Sequence, residues 1–153
     1  MFTIDASVWV NADSPTEPHQ PDSRALLDLL FARGVPIFVP TLLPAELAGA
    51  IARTRGDSAL AEEMAKAILA LPGVRWLALD DALARRAAEL AARNRLRGAD
   101  SVYAAVALTH GCDLVSLDRE HPTRLAALVP TLTPADALAA SVPPARHNRC
   151  SCG

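Results

Sequence analysis

The sequence predicts an α/β protein in which a central, mostly parallel sheet lies between layers of helices. Short apolar segments alternate with longer segments of helical periodicity, an order that is typical of parallel sheets. Capping residues and helix-stopping glycines frame several of the helical segments. The chain has 153 residues, 51% of them hydrophobic, which is enough for one domain with a buried core.

Five short segments have the length and apolar character of strands. Pro36 in the second of them indicates a strand start or an edge position, because proline cannot donate to a ladder. The predicted strands are Phe2–Ile4, Val35–Val39, Val74–Leu79, Leu114–Leu117 and a last one that begins at Val129.

Helices are predicted between these strands, and residues 10–21, with three prolines, are predicted as a loop. The segment Ala99–His110 is apolar nearly all round, which is typical of a central buried helix. The other predicted helices are Ser23–Arg33, one capped by Thr41, Asp57–Leu71, one capped by Asp80 or Asp81, and Pro134–Ala140.

Composition narrows the function and the compartment. The formal net charge of −2 argues against attachment to nucleic acid or membrane by bulk basic charge. No apolar run is long enough to span a membrane, and the first residues do not have the pattern of a secretion signal. Three cysteines are an odd number, so we expect a reducing cytoplasm. Residues 141–153, which include Cys150 and Cys152, are predicted to be a disordered tail after a domain of residues 1–140.

Four acidic residues are expected at one edge of the sheet. Asp5 and Asp118 each come just after a predicted strand, and Glu46 lies early in the helix that follows the second strand. Asp100 lies in the first turn of the buried helix. Each acid alone is also explained as a turn former or as a favourable charge at a helix start. Together they predict a site for a hard cation such as Mg²⁺ or Mn²⁺.

The segments that carry these acids resemble one family. They are FTIDASVWV, VPTLLPAEL and RGADSVYAAVALTHGCDLVSLD, and from Met1 to about Ala140 the chain resembles a PIN-domain nuclease of the VapC toxin kind. The resemblance implies a PIN-like α/β/α sandwich. It also implies that Asp5, Glu46, Asp100 and Asp118 are the catalytic, metal-binding acids. Ser7 and Ser116 match hydroxyl positions that support the acids.

The function that this resemblance implies is a Mg²⁺- or Mn²⁺-dependent endoribonuclease. The same resemblance implies a toxin that a cognate antitoxin neutralises, as a homodimer or a toxin–antitoxin hetero-oligomer. The alternative is a non-catalytic PIN-like module that binds RNA or protein. A phosphoacceptor receiver, a haloacid-dehalogenase-like phosphatase and a dinucleotide-binding enzyme fit less well. The first needs adjacent acids after strand one, the second an Asp where Ser7 stands, and the third a glycine-rich turn.

Arginines are the candidate contacts for RNA. Arg86 and Arg93 share one face of a predicted helix, and Arg119 is next to Asp118, where a cation would hold a phosphate. An ordinary solvated helix face explains Arg86 and Arg93 equally well.

Apolar residues on two predicted helices exceed what one core-facing side needs, which predicts a groove for a partner or a dimer contact. Burial of both sets in the core is the alternative. We expect the partner to place a cation in the acidic pocket. These residues are Leu26, Leu27, Leu29, Leu30 and Phe31 on the first helix, and Leu60, Met64, Ile68 and Leu69 on the second.

Overall fold

A computed structural model of the chain describes residues 1–118, 124–125 and 128–141. Strands and helices alternate along these residues, as the sequence predicts. The strands are β1 (Phe2–Ile4), β2 (Ile37–Pro40), β3 (Val74–Leu77), β4 (Asp113–Val115) and β5 (Thr131–Leu132). The helices include α1 (Ala6–Ala12), α2 (Gln20–Ala32), α3 (Leu43–Arg55), α4 (Ser58–Leu69), α5 (Asp81–Asn94), α6 (Gly98–His110) and α7 (Pro134–Ser141).

The five strands form one sheet in the order β3-β2-β1-β4-β5, and every pairing is parallel. β1 lies at the centre, where all three of its residues are buried. In the register of β1 and β4, Ile4 is opposite Val115, so these strands end side by side. The α/β/α architecture that we predicted is therefore confirmed, and the next residues of both strands emerge together at the carboxyl edge.

Helix α6 is the central helix. It packs against β1, β2 and β4, and α5 packs against it. Most of its side chains are buried, as its apolar sequence predicts, and Tyr103 has no exposed surface. Because α6 begins with Gly98 and Asp100 in its first turn, the packing of this helix decides where that carboxylate lies.

The largest difference from our prediction lies between β1 and α2. Residues 6–12 form α1, part of which we predicted as a loop, and Val8 and Trp9 on this helix are buried in the core. Helix α2 begins at Gln20 instead of Ser23, after His19 in a left-handed conformation and with a proline in its first turn. The prolines after Asp13 therefore mark a short connection between two helices, and burial of the α1 side chains stabilises the first of them.

Smaller differences concern the ends of elements. Leu42, instead of Thr41, is the N-cap of α3, and the Thr41 hydroxyl accepts a hydrogen bond from the backbone N–H of Leu79. Asp80, one of our two candidates, caps α5 by accepting from the N–H of Leu83. Ser141 ends α7 instead of starting the tail, and residues 142–153 lie outside the described part of the chain. No helix in the described part is long and apolar enough to cross a membrane.

Candidate active site

Asp5 lies at the centre of the carboxyl edge of the sheet. It is the N-cap of α1 in an extended conformation, and its N–H donates to the carbonyl oxygen of Val115 on β4. This bond continues the pairing of β1 with β4 by one residue. The Asp5 side chain is consequently 7% exposed and is held between the two strand ends.

Two serine hydroxyls fix the Asp5 carboxylate. Ser7 Oγ donates to Asp5 Oδ2 at 2.6 Å, and Ser116 Oγ donates to the same oxygen at 2.9 Å. The same hydroxyls accept from the next residues of the β4 loop, since Leu117 N–H donates to Ser7 and Asp118 N–H donates to Ser116. The serines therefore orient Asp5 and also tie the loop that carries Asp118 to the end of β1.

Glu46 is held by a tyrosine that the sequence analysis did not single out. The hydroxyl of Tyr103 on α6 donates to Glu46 Oε2 at 2.7 Å. Glu46 lies in the first turn of α3, which follows β2, so this bond joins helices that pack near the same sheet edge. An aromatic residue in an apolar helix predicts only a core position, and its hydroxyl partner lies 57 residues away along the chain.

The environment of Glu46 favours its neutral form. Burial raises the pKa of the Glu46 carboxyl above its ordinary value. The hydrogen bond from Tyr103 acts in the opposite direction, and the negative charges of Asp5 and Asp100 raise the pKa further. These three acids are thus close enough for their charges to interact, as the sequence predicted from topology.

All four predicted acids line one open cleft. Its volume is about 1060 Å³, and its lining includes Asp5, Ser7, Glu46, Asp100 and Asp118. Within the described residues, no three His, Cys, Asp or Glu side chains form a ready-made metal-ligand group. The acids therefore form an open arrangement of oxygen donors. Such a donor set fits Mg²⁺ or Mn²⁺, since Mg²⁺ keeps several waters and takes few protein carboxylates.

Three arginines that were not predicted line the cleft among the described residues, namely Arg53, Arg55 and Arg97. Arg86 and Arg93 are exposed on α5 and are not part of its lining. Arg119 lies outside the described residues, so its predicted role stays a prediction. Arg97 Nη1 lies 3.8 Å from Asp118 Oδ2. Its position just before Gly98 and Asp100 is the sequence signal that would have singled it out.

A second, smaller depression lies between α2 and α4. It has a volume of about 340 Å³, and Trp9, Leu27, Phe31, Met64 and Ile68 contribute to its wall. Leu26 and Leu30 of the predicted surface are instead fully buried in the core, whereas Leu69 is 53% exposed and lies outside the depression. We call this depression the apolar groove.

The fold and the acidic edge define a class of protein. A family model for the PIN domain matches residues 2–128, and the chain belongs to this family, which confirms the resemblance in the sequence. No curated protein sequence matches the chain significantly.

Solved structures have the same fold. The VapC20 toxin of Mycobacterium tuberculosis superposes with a TM-score of 0.67 at 18% identity, covering 83% of this chain and 95% of that one. FitAcB from Neisseria gonorrhoeae gives a TM-score of 0.66 at 23% identity, with coverages of 88% and 98%. VapBC2 from Rickettsia felis, bound to a promoter DNA fragment, gives a TM-score of 0.64 at 13% identity, covering 86% of this chain and 97% of that one. At these identities the likeness shows the fold.

Proposed function

We propose that the chain is a divalent-metal-dependent endoribonuclease and the toxin of a toxin–antitoxin pair. The observation that carries the proposal is the meeting of Asp5, Glu46 and Asp100 near enough for their charges to interact, in a cleft that Asp118 also lines. One structural relative is described as a sarcin–ricin loop cleaving toxin. That description favours RNA as the substrate of this chain as well.

The four carboxylates would hold Mg²⁺ or Mn²⁺ through their open oxygens. When bound, such an ion acidifies a water and neutralises charge on the phosphoryl oxygens. Within the described residues, the only hydrogen-bond donors to the Asp5 carboxylate are the two serine hydroxyls at Oδ2, which leaves Oδ1 for a ligand. Tyr103 likewise binds only Oε2 of Glu46, so this tyrosine holds the carboxylate while its other oxygen stays open.

The cognate antitoxin is the proposed partner, and we place both proteins in the cytoplasm. Relatives with this fold include structures of toxin–antitoxin complexes, among them one from Klebsiella pneumoniae. The apolar groove gives an antitoxin segment a place to bind, and the acidic cleft would receive a cation from the same partner. We further propose that the chain assembles as a homodimer or as a toxin–antitoxin hetero-oligomer.

Cleavage of total RNA by the purified chain tests the catalytic proposal. We expect cleavage with Mg²⁺ or Mn²⁺, loss of cleavage in EDTA, and loss in Asp5→Asn, Asp100→Asn and Asp118→Asn. Because the acids repel one another without a cation, the metal-free variants should melt at the same temperature as the wild type or higher.

Two results would contradict the catalytic proposal. Cleavage that persists in EDTA would exclude a catalytic role for a metal ion. Full activity of the Asp5 and Asp118 variants would exclude a catalytic role for these two acids. RNA or protein binding without any cleavage would instead favour the non-catalytic module.

A further inference from the structure

Arg53 lies on the same helix as Glu46, two turns further along α3. Gly49 lies between them, one turn before Arg53, and a Cβ at Gly49 would be 3.0 Å from Nη1 of Arg53. The Arg53 guanidinium therefore lies back along the helix over Gly49, in the direction of Glu46. A positive charge is placed in this way about one turn from the acidic cluster.

Gly49 provides the space for this arrangement. Glycine in a helix interior is less favourable than alanine, and α3 does not need it for its backbone, because Gly49 is not among the residues with positive φ. The only side-chain atoms near its missing Cβ belong to Arg53. The residue is therefore explained by room for the guanidinium.

Arg97 places a second cation in the cleft, next to Asp118. Its side chain is 72% exposed, and Nη1 is 3.8 Å from Asp118 Oδ2. A long ion pair at this exposure is weak, because water competes for both charges. The Arg97 guanidinium can therefore turn to another anion in the cleft without losing much.

Arg55, the third arginine of the cleft, has a different role. Its Nη2 lies 3.1 Å from Asp13 Oδ2 and 3.3 Å from Ser14 Oγ, and its side chain is 31% exposed. These contacts neutralise its charge and tie the end of α3 to the end of α1. Arg53, in contrast, forms no ion pair with any described residue. Among the described arginines of the cleft, those open to a ligand are thus Arg53 and Arg97.

We propose that Arg53 and Arg97, which both line the acidic cleft, form a phosphate-binding subsite for single-stranded RNA. The inference rests on the proposed function and adds how the substrate is held. Without a bound metal ion, the carboxylates of the cleft repel a polyanion, so affinity for the strand would then come from cations next to the acids. Guanidinium groups suit this role because they bind phosphate oxygens through two parallel hydrogen bonds.

Binding of a short fluorescein-labelled oligouridylate to the metal-free chain tests the subsite. Fluorescence anisotropy in EDTA, at a series of salt concentrations, gives Kd and its salt dependence without cleavage. Arg53→Ala and Arg97→Ala should each weaken binding about tenfold at low salt. Each should also reduce the slope of log K against log salt by about 0.7, the value for one phosphate contact to a single strand.

Arg86→Ala is the matched control, since Arg86 is an exposed arginine outside the cleft. Its salt slope should equal that of the wild type. An equal loss in all three variants would show a general charge effect and overturn the subsite. Unchanged slopes in Arg53→Ala and Arg97→Ala, or no binding of the oligouridylate by the wild type, would overturn it as well.

Gly49→Ala gives an independent readout. Helix propensity should raise its melting temperature, while the new Cβ shifts the Arg53 guanidinium slightly and should weaken RNA binding less than Arg53→Ala does. A lower melting temperature would contradict the interpretation that Gly49 serves to leave room for the Arg53 side chain.

Cleavage assays on the same variants separate the two proposals. If the wild type binds RNA, and the two arginine variants reduce the salt slope as expected, but no RNA is ever cleaved, the nuclease proposal is contradicted and the subsite is supported. A wild type that cleaves, with both variants binding normally, overturns the subsite alone.

Discussion

Hydroxyl groups hold two of the four carboxylates of the cleft. Ser7 and Ser116 hold Asp5, and Tyr103 holds Glu46, each through a bond of 2.9 Å or less. At the scale of single residues, Asp5 and Glu46 are therefore oriented by neutral hydroxyl donors, which carry no positive charge to compensate a carboxylate. A charged donor in the same places would neutralise the carboxylates and compete with a cation.

Tyr103→Phe tests the orientation of Glu46. The ring stays in the core, and only the hydroxyl that donates to Glu46 is lost. We expect the free energy of unfolding to fall by about 1 kcal/mol. RNA cleavage should slow because Glu46 is no longer fixed.

Thr109→Val is the control for this experiment, since it deletes a hydroxyl at the far end of the same helix, bonded only to the carbonyl of Ala105. It should keep full activity. Urea unfolding and initial cleavage rates measure both effects, and a Phe variant identical to the wild type would contradict the role of Tyr103.

Glu46→Gln tests the raised pKa of Glu46 in the metal-free protein. A carboxyl whose pKa is higher in the folded than in the unfolded state destabilises the fold when it ionises. The wild type and the variant should therefore differ least in stability below the ordinary pKa of 4.5. The variant should gain stability over the wild type as pH rises through the folded pKa, and the difference should then level off.

Gln is a suitable replacement because it still accepts the hydrogen bond from Tyr103. Urea unfolding in EDTA at a series of pH values measures the difference. A gap that is constant across this pH range would show that Glu46 has an ordinary pKa.

At the scale of elements, the starts of α4 and α5 are each capped by an aspartate side chain that accepts a backbone N–H group, whereas α1, α2, α3 and α6 have no side-chain cap. Asp57 caps α4 through Leu60, and Asp80 caps α5 through Leu83. Asp81, next to the second cap, only pairs with Arg85, and both side chains are strongly exposed. The two neighbouring acids thus differ in role, although the sequence alone offered both as candidates for the helix cap.

Asp80→Ala and Asp81→Ala form a matched pair. Loss of the Asp80 cap should lower the free energy of unfolding by about 1 kcal/mol. Asp81→Ala should cost less, because an exposed ion pair stabilises little. Urea unfolding measures the free energy of unfolding of both variants. A larger decrease in the Asp81 variant than in the Asp80 variant would contradict Asp80 as the cap.

At the scale of the whole molecule, the acidic cleft and the apolar groove are both available to one partner. Met64→Glu places a charge in the groove, whereas Leu69→Glu places one on the same helix outside it. Under the proposed function, the first variant should lose co-purification with the antitoxin and keep its cleavage activity. The second should keep both.

Co-expression with the neighbouring antitoxin gene and affinity pull-down measure the difference, and thermal melting verifies that both variants fold. If the Met64 variant captures the antitoxin as well as the wild type does, the apolar groove is not the antitoxin-binding site.

Local sequence was sufficient to predict most of the elements and to place four acids near one edge of the sheet. The apolar β1 and the all-round apolar α6 follow from patterns within a few residues. In a parallel sheet, residues that follow the strands emerge at one edge, so Asp5 and Asp118 could both be expected there. The predicted strand end at Leu117 was wrong, because β4 ends at Val115 and Asp118 is the third residue after it. The same reasoning missed α1, because its short helix is stabilised by burial of Val8 and Trp9 and not by local signals.

Tertiary structure alone decided that Tyr103 meets Glu46, across 57 residues of chain. The family resemblance had implied that Ser116 supports the acids, and the fold brings it to Asp5 across 111 residues. Likewise, the cleft is lined by Arg53 and Arg97 but not by Arg86. Such pairs depend on how α3 and α6 pack on the sheet, and packing depends on contacts from the whole chain. Residue type and spacing therefore determine the chemistry of this edge, while the packed fold determines the partners that orient it.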